Sequence, residues 1–319
     1  MRTAHLRRLL AAGAGLALLL TACGGGDEPE EDAGDDAATD ETDDADVPDD
    51  GPTITVASFN FPESSILAEI YGQTLEDAGY PVEYQLDLGS RELIFPELQD
   101  GEIDLLPEYL GSSLIVGFDE DAPEDVDSGV ETLGERFAEH DISVLEASEA
   151  QNVNVFVTTA EFADEHGLET VSDLADAGDI VFSGAPECED RDTCYAGLTD
   201  TYGLDNVEFE AVQEASARLA GLESGETQLT AMFSTDAPLT SDELVVLEDD
   251  EGINPPENIV PVLRDEILDA YGDDLRGLID EVSGMLTVED LQAMNQQASE
   301  GLAPDEIAAE WLEDNGVVG

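Results

Sequence analysis

The sequence predicts an α/β protein built from two lobes. Short runs of β-branched residues alternate with segments whose apolar residues recur at helical spacing, which is typical of α/β folds. The chain has 319 residues, and 41% of them are hydrophobic, so it can fill two cores of modest size. No internal repeat of solenoid length is present.

The first 50 residues are expected to be an export signal followed by a tether. Three arginines precede the apolar run Leu9–Ala22, which is too short for a permanent membrane span, so residues 1–22 are typical of a signal peptide. The run ends at Cys23 in the order Leu-Thr-Ala-Cys, which resembles the bacterial lipobox and implies that Cys23 carries lipid chains. Residues 23–50 are rich in Asp and Glu and almost free of apolar side chains, which indicates a disordered acidic tether.

The next segment predicts a βαβαβ unit with a parallel sheet. Pro62 opens a helical pattern that ends near Gly79, and Ser90 is placed to cap a second helix that runs through Leu98. Alternating or apolar runs predict strands at residues 53–58, 82–86 and 103–106.

The rest of the chain continues the alternation and then becomes helical. Further strands are expected at residues 142–145, 153–158, 180–183, 229–233, 244–247 and 259–263. After Asp265 the apolar spacing is helical to the end. In sheets of this kind, ligands bind beyond the carboxyl ends of the strands, and a cleft between two lobes is a further expected location.

The charge excludes several classes of partner. The chain has a net charge of −70, its nine basic residues are all arginine, and lysine is absent. Nucleic acids and anionic membrane surfaces are excluded as partners because both need a basic patch. Carboxylates at this density repel one another strongly unless salt screens them, so we hypothesise a very saline working environment. Melting curves test this hypothesis, since we expect the protein to melt at a higher temperature in molar salt than in dilute buffer, and equal melting temperatures would contradict it.

The two later cysteines are expected to form a disulfide. Cys188 and Cys194 lie outside the membrane if the signal acts as predicted, and oxidising surroundings favour their pairing. A zinc site is the alternative, but it needs further ligands, and no histidine follows His166.

Enzyme motifs are missing from the sequence. It contains no G-x-S-x-G, phosphate loop or H-E-x-x-H. Neither His140 nor His166 has the neighbours of a catalytic or metal site. Acidic clusters such as residues 119–121 and 248–251 suit a solvated surface, and they lack the EF-hand spacing for calcium. We therefore expect no catalysed reaction, no cofactor and no bound metal.

Four segments identify a family by resemblance. Residues 54–63, 66–71, 88–92 and 101–111 resemble the substrate-binding proteins of ABC importers for quaternary-ammonium osmoprotectants, the glycine betaine, carnitine and choline family. The likeness continues through residues 233–236, 245–250 and 255–264. It implies a type II periplasmic-binding-protein fold, two α/β lobes with a ligand cleft between them. The implied first lobe comprises residues 51–154 and 258–319, and the implied second lobe comprises residues 155–257.

The resemblance also implies a binding site. Such proteins hold the methylated ammonium in a box of aromatic rings and bind a carboxylate with an arginine or similar donors. Tyr109, Ser112 and Phe233 match the family pattern, and Arg191 corresponds to the carboxylate-binding arginine. Thr235 belongs to the matched segment after Phe233.

This chain departs from the pattern at three positions. Asn154 and Glu257 stand where tyrosines are expected, and Phe59 replaces a common lysine. Asn152 and Asn154 suit hydrogen bonding to a more polar solute, Glu257 suits attraction of a cation, and Phe59 with Phe61 supplies replacement ring faces.

The sequence therefore predicts a lipid-anchored, monomeric receptor that closes around a small-molecule compatible solute. It delivers the solute to a membrane permease driven by a separate cytoplasmic ATPase. One alternative is a receptor for an amino acid or a polyamine. Two others are an extracytoplasmic enzyme, which needs a nucleophile beside a base, and a calcium-dependent surface module.

Overall fold

The computed structural model describes residues 51–318. The predicted signal at residues 1–22, the lipid site at Cys23 and the tether at residues 23–50 lie outside this range. Within it, no helix combines the length and the apolar character that a membrane crossing requires.

Ten strands form two sheets in the described part of the chain. The strands are β1 Ile54–Ala57, β2 Val82–Gln85, β3 Leu105–Tyr109, β4 Ile142–Val144, β5 Asn154–Thr159, β6 Ile180–Gly184, β7 Val207–Ala211, β8 Leu229–Phe233, β9 Leu244–Leu247 and β10 Ile259–Arg264. The first sheet has the order β2-β1-β3-β10-β4 and the second β7-β6-β8-β5-β9. We call each sheet, with the helices packed on it, the first lobe and the second lobe.

Both sheets follow one plan. In the first lobe β1 runs parallel to β2 and β3, as the predicted βαβαβ unit requires, and β10 is antiparallel to β3 and β4. In the second lobe β6 runs parallel to β7 and β8, and β5 is antiparallel to β8 and β9. Each sheet is therefore mixed. Its one antiparallel strand, β10 in the first lobe and β5 in the second, is the first strand that the chain forms after crossing from the other lobe.

The helices cover the sheets. They are α1 Pro62–Asp77, α2 Arg91–Asp100, α3 Leu110–Ser112, α4 Val126–Ala138, α5 Ala160–His166, α6 Tyr195–Asp200, α7 Ala215–Ser224, α8 Asp265–Tyr271, α9 Asp273–Met285, α10 Val288–Glu300 and α11 Pro304–Asn315. The helical pattern predicted after Asp265 thus forms four separate helices, α8 to α11. Helix α1 is buried on nearly every side because α9, α10 and α11 pack over it. That packing places the first turn of α1 at the inner edge of the first lobe.

The chain crosses between the lobes twice, and the two crossings lie side by side. The Asn152 amide donates to the Glu257 carbonyl oxygen at 3.1 Å, and Gln151 and Asn258 form an antiparallel bridge. The two crossings are thus joined by backbone hydrogen bonds. The predicted lobe boundaries at residues 154 and 257 stay a prediction.

Strand β7 is absent from the sequence prediction. It lies at the edge of the second sheet. Its exposed residues Glu208 and Glu210 alternate with the apolar Val207 and Phe209. An edge strand with one buried face gives only a weak apolar signal.

A disulfide joins Cys188 and Cys194 in the structure. Both cysteines are buried, and their Cα atoms are 5.3 Å apart. The closed loop packs against the second lobe and fixes the backbone around Arg191.

Candidate functional site

A cavity of about 680 Å³ lies between the lobes. The carboxyl end of β3, the start of α1 and one face of α10 form its first-lobe wall, and the segment after β8 forms its second-lobe wall. Its lining residues are Phe61, Pro62, Glu63, Arg91, Tyr109, Ser112, Asn152, Phe233, Thr235, Asp236, Ala237, Pro238, Glu257, Asn295, Ala298 and Ser299. We call it the main cavity.

Three aromatic rings face the main cavity. Phe61 and Tyr109 come from the first lobe, with ring centroids 5.8 Å apart, and Phe233 comes from the second. Phe61 is 36% exposed and Phe233 is 52% exposed, so both rings are free to contact a solute. The site therefore has apolar faces on both lobes.

Glu63 is the centre of the polar network in this cavity. Its carboxylate accepts hydrogen bonds from the Tyr109 hydroxyl at 2.7 Å, from Asn152 Nδ2 at 2.9 Å and from Asn295 Nδ2 at 2.7 Å. All three donors are neutral, and Glu63 is only 4% exposed. Burial and the neighbouring Glu63 carboxylate raise the pKa of Tyr109 well above its ordinary value, so its hydroxyl stays a donor. Among residues 51–318, Glu63 forms no ion pair.

Arg91 also lines the cavity, but its charge is already matched. Its Nη2 lies 2.6 Å from Glu108 Oε2 and its Nε lies 3.0 Å from Glu108 Oε1, in a two-pronged contact with a fully buried carboxylate. The guanidinium also lies 4.9 Å above the ring of Phe59. Arg91 is therefore fixed by its partners rather than free to bind a solute carboxylate.

Glu257 is held against α3. Its carboxylate accepts hydrogen bonds from the Ser112 hydroxyl at 2.6 Å and from the Ser112 amide at 3.0 Å. The approach requires a glycine at position 111, because a Cβ atom there would lie 2.8 Å from the Pro256 carbonyl oxygen. Burial raises the pKa of Glu257 above its ordinary value, although the hydrogen bonds from Ser112 and the charge of Arg91 oppose that shift.

Asp236 is the third carboxylate at the main cavity. It accepts a hydrogen bond from the Phe233 amide at 2.9 Å. Burial raises its pKa, against the lowering effect of the Phe233 amide and Arg218. The carboxylates of Glu63, Asp236 and Glu257 thus share one cavity in which the single arginine, Arg91, is paired with a fourth carboxylate.

The structure brings together seven of the residues selected from the sequence. Those that line the main cavity are Phe61, Tyr109, Ser112, Asn152, Phe233, Thr235 and Glu257. The others lie elsewhere. Phe59 is 3% exposed and stacks behind Phe61, so its ring does not reach the cavity. Asn154 and Arg191 line a separate cavity of about 240 Å³ in the second lobe, which shares only Phe233 with the main cavity.

Sequence reasoning missed five polar residues of the main cavity, which are Glu63, Arg91, Asp236, Asn295 and Ser299. Glu63, Arg91 and Asp236 lie within or beside the segments that carry the family resemblance, so their position in those segments was an available signal. Asn295 comes from α10, which lies 232 residues after Glu63, and nothing in the sequence indicates that they meet. No three His, Cys, Asp or Glu side chains in the described part of the chain converge on a metal site.

Two curated proteins are similar to this chain along most of its length. The glycine betaine-binding protein YehZ of Escherichia coli K12 is 26% identical over 285 residues, which cover 82% of this chain and 90% of that protein. The carnitine transport binding protein OpuCC of Listeria monocytogenes is 25% identical over 271 residues, covering 82% and 87%.

The fold has a solved counterpart. The crystal structure of a glycine betaine/carnitine/choline ABC transporter superposes with a TM-score of 0.75 at 23% identity, and the match covers 83% of this chain and 99% of that one. This match confirms the predicted fold of two α/β lobes. A family model described as the substrate-binding domain of the ABC-type glycine betaine transport system matches residues 52–314. The chain therefore belongs to the family of substrate-binding domains of ABC-type glycine betaine transport systems.

Proposed function

We propose that the main cavity of this solute receptor binds a methylated ammonium head, as found in choline, glycine betaine or carnitine. One observation carries the proposal. Glu63 is a buried carboxylate that faces the cavity, and every hydrogen-bond donor on it is neutral. Buried charges in proteins are normally paired, so the missing positive partner of Glu63 is supplied by the solute.

The charge of the whole cavity supports a cationic group. Glu63, Asp236 and Glu257 line it, whereas the guanidinium of Arg91 is matched by Glu108. A cation that displaces water from this cavity replaces hydration by attraction to three carboxylates at a reduced effective dielectric constant. The acidic outer surface is screened by salt and does not provide this selectivity.

The aromatic rings support a methylated head in particular. A trimethylammonium group has no N–H to donate, so ring faces are its natural contacts, each worth about 0.5 to 2 kcal/mol. Phe61 and Tyr109 lie on one lobe and Phe233 on the other. A solute that touches all three favours the closed arrangement, which is how such receptors signal occupancy to a permease.

A second candidate is a solute with N–H donors, such as an amino acid or a polyamine. Asn152 Oδ1 is buried beside the cavity and has no hydrogen-bond partner among the described residues. An ammonium with protons would satisfy this acceptor, whereas a trimethylammonium would not. The free acceptor is the one feature that favours the second candidate.

Titration calorimetry of the purified protein in molar salt separates the two candidates. Choline, glycine betaine and carnitine form one set of titrants, and lysine, arginine and putrescine form the other. We expect heat from at least one methylated solute and weaker or no binding in the second set. Tighter binding of putrescine or lysine would assign the cavity to the second candidate, and no binding of any methylated solute would overturn the proposal.

We further propose the cellular setting that the sequence predicts. The lipobox-like residues before Cys23 support a lipid anchor at the outer face of the cytoplasmic membrane, with a permease and a separate ATPase as partners and a monomeric receptor. Mass spectrometry of the N-terminus tests the anchor, and an unmodified Cys23 would contradict it. The charge of −70 supports a saline environment, which the melting curves described above test.

Binding and stability should respond to pH in opposite directions through Glu257. Burial holds the pKa of this carboxyl above its ordinary value of 4.5, so the folded protein binds more protons than the unfolded chain in the window between the two values. The stability contributed by protonated Glu257 is therefore lost as pH rises through the folded pKa. Affinity for a cation falls instead as pH is lowered through that window, because the carboxylate is neutralised.

The variant Glu257→Gln tests this linkage. We expect it to flatten both pH profiles as the pH rises above 4.5, the ordinary pKa of the group, measured by thermal melting and by calorimetry. Glu281→Gln is the control, because Glu281 is an exposed carboxylate on α9. Profiles of Glu257→Gln that run parallel to those of the wild type would contradict the assignment.

A further inference from the structure

The charged side chains that line the main cavity do not balance one another. Three of them are the carboxylates of Glu63, Asp236 and Glu257, and Arg91 is the one basic residue in the lining. Arg91 is paired with the fully buried Glu108, and none of the three lining carboxylates takes part in an ion pair within residues 51–318. The main cavity therefore has a net negative charge that its own side chains leave unmatched.

The three carboxylates come from three separate parts of the fold. Glu63 lies in the first turn of α1, Glu257 lies on a crossing between the lobes, and Asp236 follows β8 in the second lobe. A solute in the main cavity thus meets negative charge from both lobes and from the crossing. Among the lining residues, none of these three parts offers an unpaired cation to an anionic group.

The pKa of Asp236 agrees with a negative potential in the cavity. Burial is the main cause of its raised pKa, and the carboxylate of Glu63 raises it further, against one backbone hydrogen bond and the charge of Arg218. A like charge nearby disfavours ionisation of a carboxyl group. Glu63 and Asp236 therefore repel each other across the space that the solute enters.

Two arginines outside the ion pairs of residues 51–318 lie in another cavity. Arg191 and Arg218 line the second-lobe cavity of about 240 Å³, which shares only Phe233 with the main cavity. Arg218 Nη1 donates to the carbonyl oxygens of Val212 and Gln213, each at 3.1 Å, which holds its guanidinium there. A short solute whose head lies among the aromatic rings of the main cavity therefore keeps its tail near the three carboxylates.

Glu257 is the carboxylate that departs from the family pattern, in which a tyrosine is expected at this position. The Ser112 hydroxyl at 2.6 Å and the Ser112 amide at 3.0 Å both donate to it. Hydrogen bonds of this kind stabilise the charged form of a carboxyl group. A tyrosine has no charge at neutral pH, so this substitution adds one negative charge to the lining.

We infer that Glu257 makes the receptor select solutes with a net positive charge, so that choline binds more tightly than the zwitterion glycine betaine. The inference rests on the proposed function, because it requires a methylated head in the main cavity. Both solutes carry the same head and a tail of the same length, which ends in a hydroxyl group in choline and in a carboxylate in glycine betaine. Glu257 attracts both heads but repels the carboxylate, so its net attraction is smaller for glycine betaine.

Calorimetry with three matched solutes in molar salt at neutral pH tests the selection by charge. The third solute is the amide of glycine betaine, which keeps the planar tail of glycine betaine but has a net positive charge and no hydroxyl group. We expect choline and the amide to bind the wild type with similar affinity and glycine betaine to bind about tenfold more weakly or worse.

The variant Glu257→Gln tests whether this residue is responsible. We expect the ratio of choline affinity to glycine betaine affinity to fall about fivefold or more, while the ratio of choline to the amide stays within about twofold. Glu281→Gln is the control, because Glu281 is an exposed carboxylate on α9 and should leave both ratios unchanged. Should Glu257→Gln not fold, Glu257→Tyr supplies the neutral residue of the family pattern and is expected to lower the first ratio in the same way.

Three outcomes would overturn the inference and leave the proposed function intact. The first is glycine betaine that binds the wild type as tightly as choline. The second is an amide that binds as weakly as glycine betaine, which would show that the shape of the tail, rather than its charge, decides. The third is a choline-to-betaine ratio that the neutral variant of Glu257 does not change. If the wild type binds no methylated solute at all, the proposed function fails and the inference with it.

Discussion

Replacing Glu63 with alanine should abolish solute binding and destabilise the first lobe. The substitution leaves the Tyr109 hydroxyl and the amides of Asn152 and Asn295 without their acceptor in a buried site. Each hydrogen bond to a charged group contributes about 1.5 to 3 kcal/mol, and unpaired buried donors add a desolvation cost, so we expect the free energy of unfolding to fall by about 3 kcal/mol or more. Denaturant unfolding and calorimetry measure the two effects separately.

The variant Glu63→Gln separates charge from structure. It keeps the size of the side chain and one acceptor oxygen, so it should fold with a smaller loss of stability, but it should still bind a cationic head much more weakly than the wild type. Glu69→Gln is the matched control, because Glu69 lies six residues further along α1, is 9% exposed and does not line the main cavity. Cation binding by Glu63→Gln at wild-type strength would show that Glu63 is not the counter-charge of the solute.

The same carboxylate connects the binding site to contacts between the lobes. Asn295, which donates to Glu63, also donates to the Thr235 carbonyl oxygen of the second lobe at 2.9 Å, and Gln292 on the same helix donates to the Ser234 carbonyl oxygen at 2.8 Å. Helix α10 thus touches the segment that follows Phe233. A solute that attracts Glu63 and packs on Phe233 contacts residues on both sides of this interface between the lobes. Its binding can therefore stabilise the closed arrangement of the lobes.

The sequence predicted the fold well because its signals are local. Nine of the ten strands in residues 51–318 carry a short apolar or alternating run, and helix α1 begins at the predicted Pro62. The exception, β7, is an edge strand that exposes two glutamates. The segment of β7 offers only Val207 and Phe209 as large apolar residues, so its alternating pattern is short and gives a weak signal.

The site could be predicted only in part because it is assembled from distant segments. Tyr109 and Phe233 are the last residues of β3 and β8, whose carboxyl ends face the cleft. The family motif and the strand position therefore both predict that these two residues line the cavity. Phe59 was expected beside Phe61, but its amide donates to the Ser64 hydroxyl and Arg91 covers its ring, which holds it in the core. The position of the Phe59 ring depends on its contact with Arg91, which lies in another element. The spacing of residues in the sequence does not indicate this contact.

Removing the ring of Tyr109 should cost more solute affinity than removing either exposed ring. Tyr109 is 6% exposed and lies between Phe61, at a centroid distance of 5.8 Å, and the Glu63 carboxylate. A desolvated ring face contributes about 2 kcal/mol to a bound cation, so Tyr109→Ala should weaken a methylated solute by about 30-fold or more. Calorimetry in molar salt measures this loss, and circular dichroism checks that the variant folds.

The variant Tyr109→Phe shows which part of the side chain matters. It keeps the ring and removes only the hydroxyl that donates to Glu63, so we expect it to retain most of the affinity for a trimethylammonium head. Tyr84→Phe is the control for the loss of a tyrosine–glutamate hydrogen bond, because the Tyr84 hydroxyl donates to Glu76 at 2.9 Å away from the cavity. If Tyr109→Phe loses as much affinity as Tyr109→Ala while Tyr84→Phe loses none, the hydroxyl and its hold on Glu63, rather than the ring face, bind the head. If the ring face binds the methylated ammonium, we expect Tyr109→Ala to lose far more affinity than Tyr109→Phe.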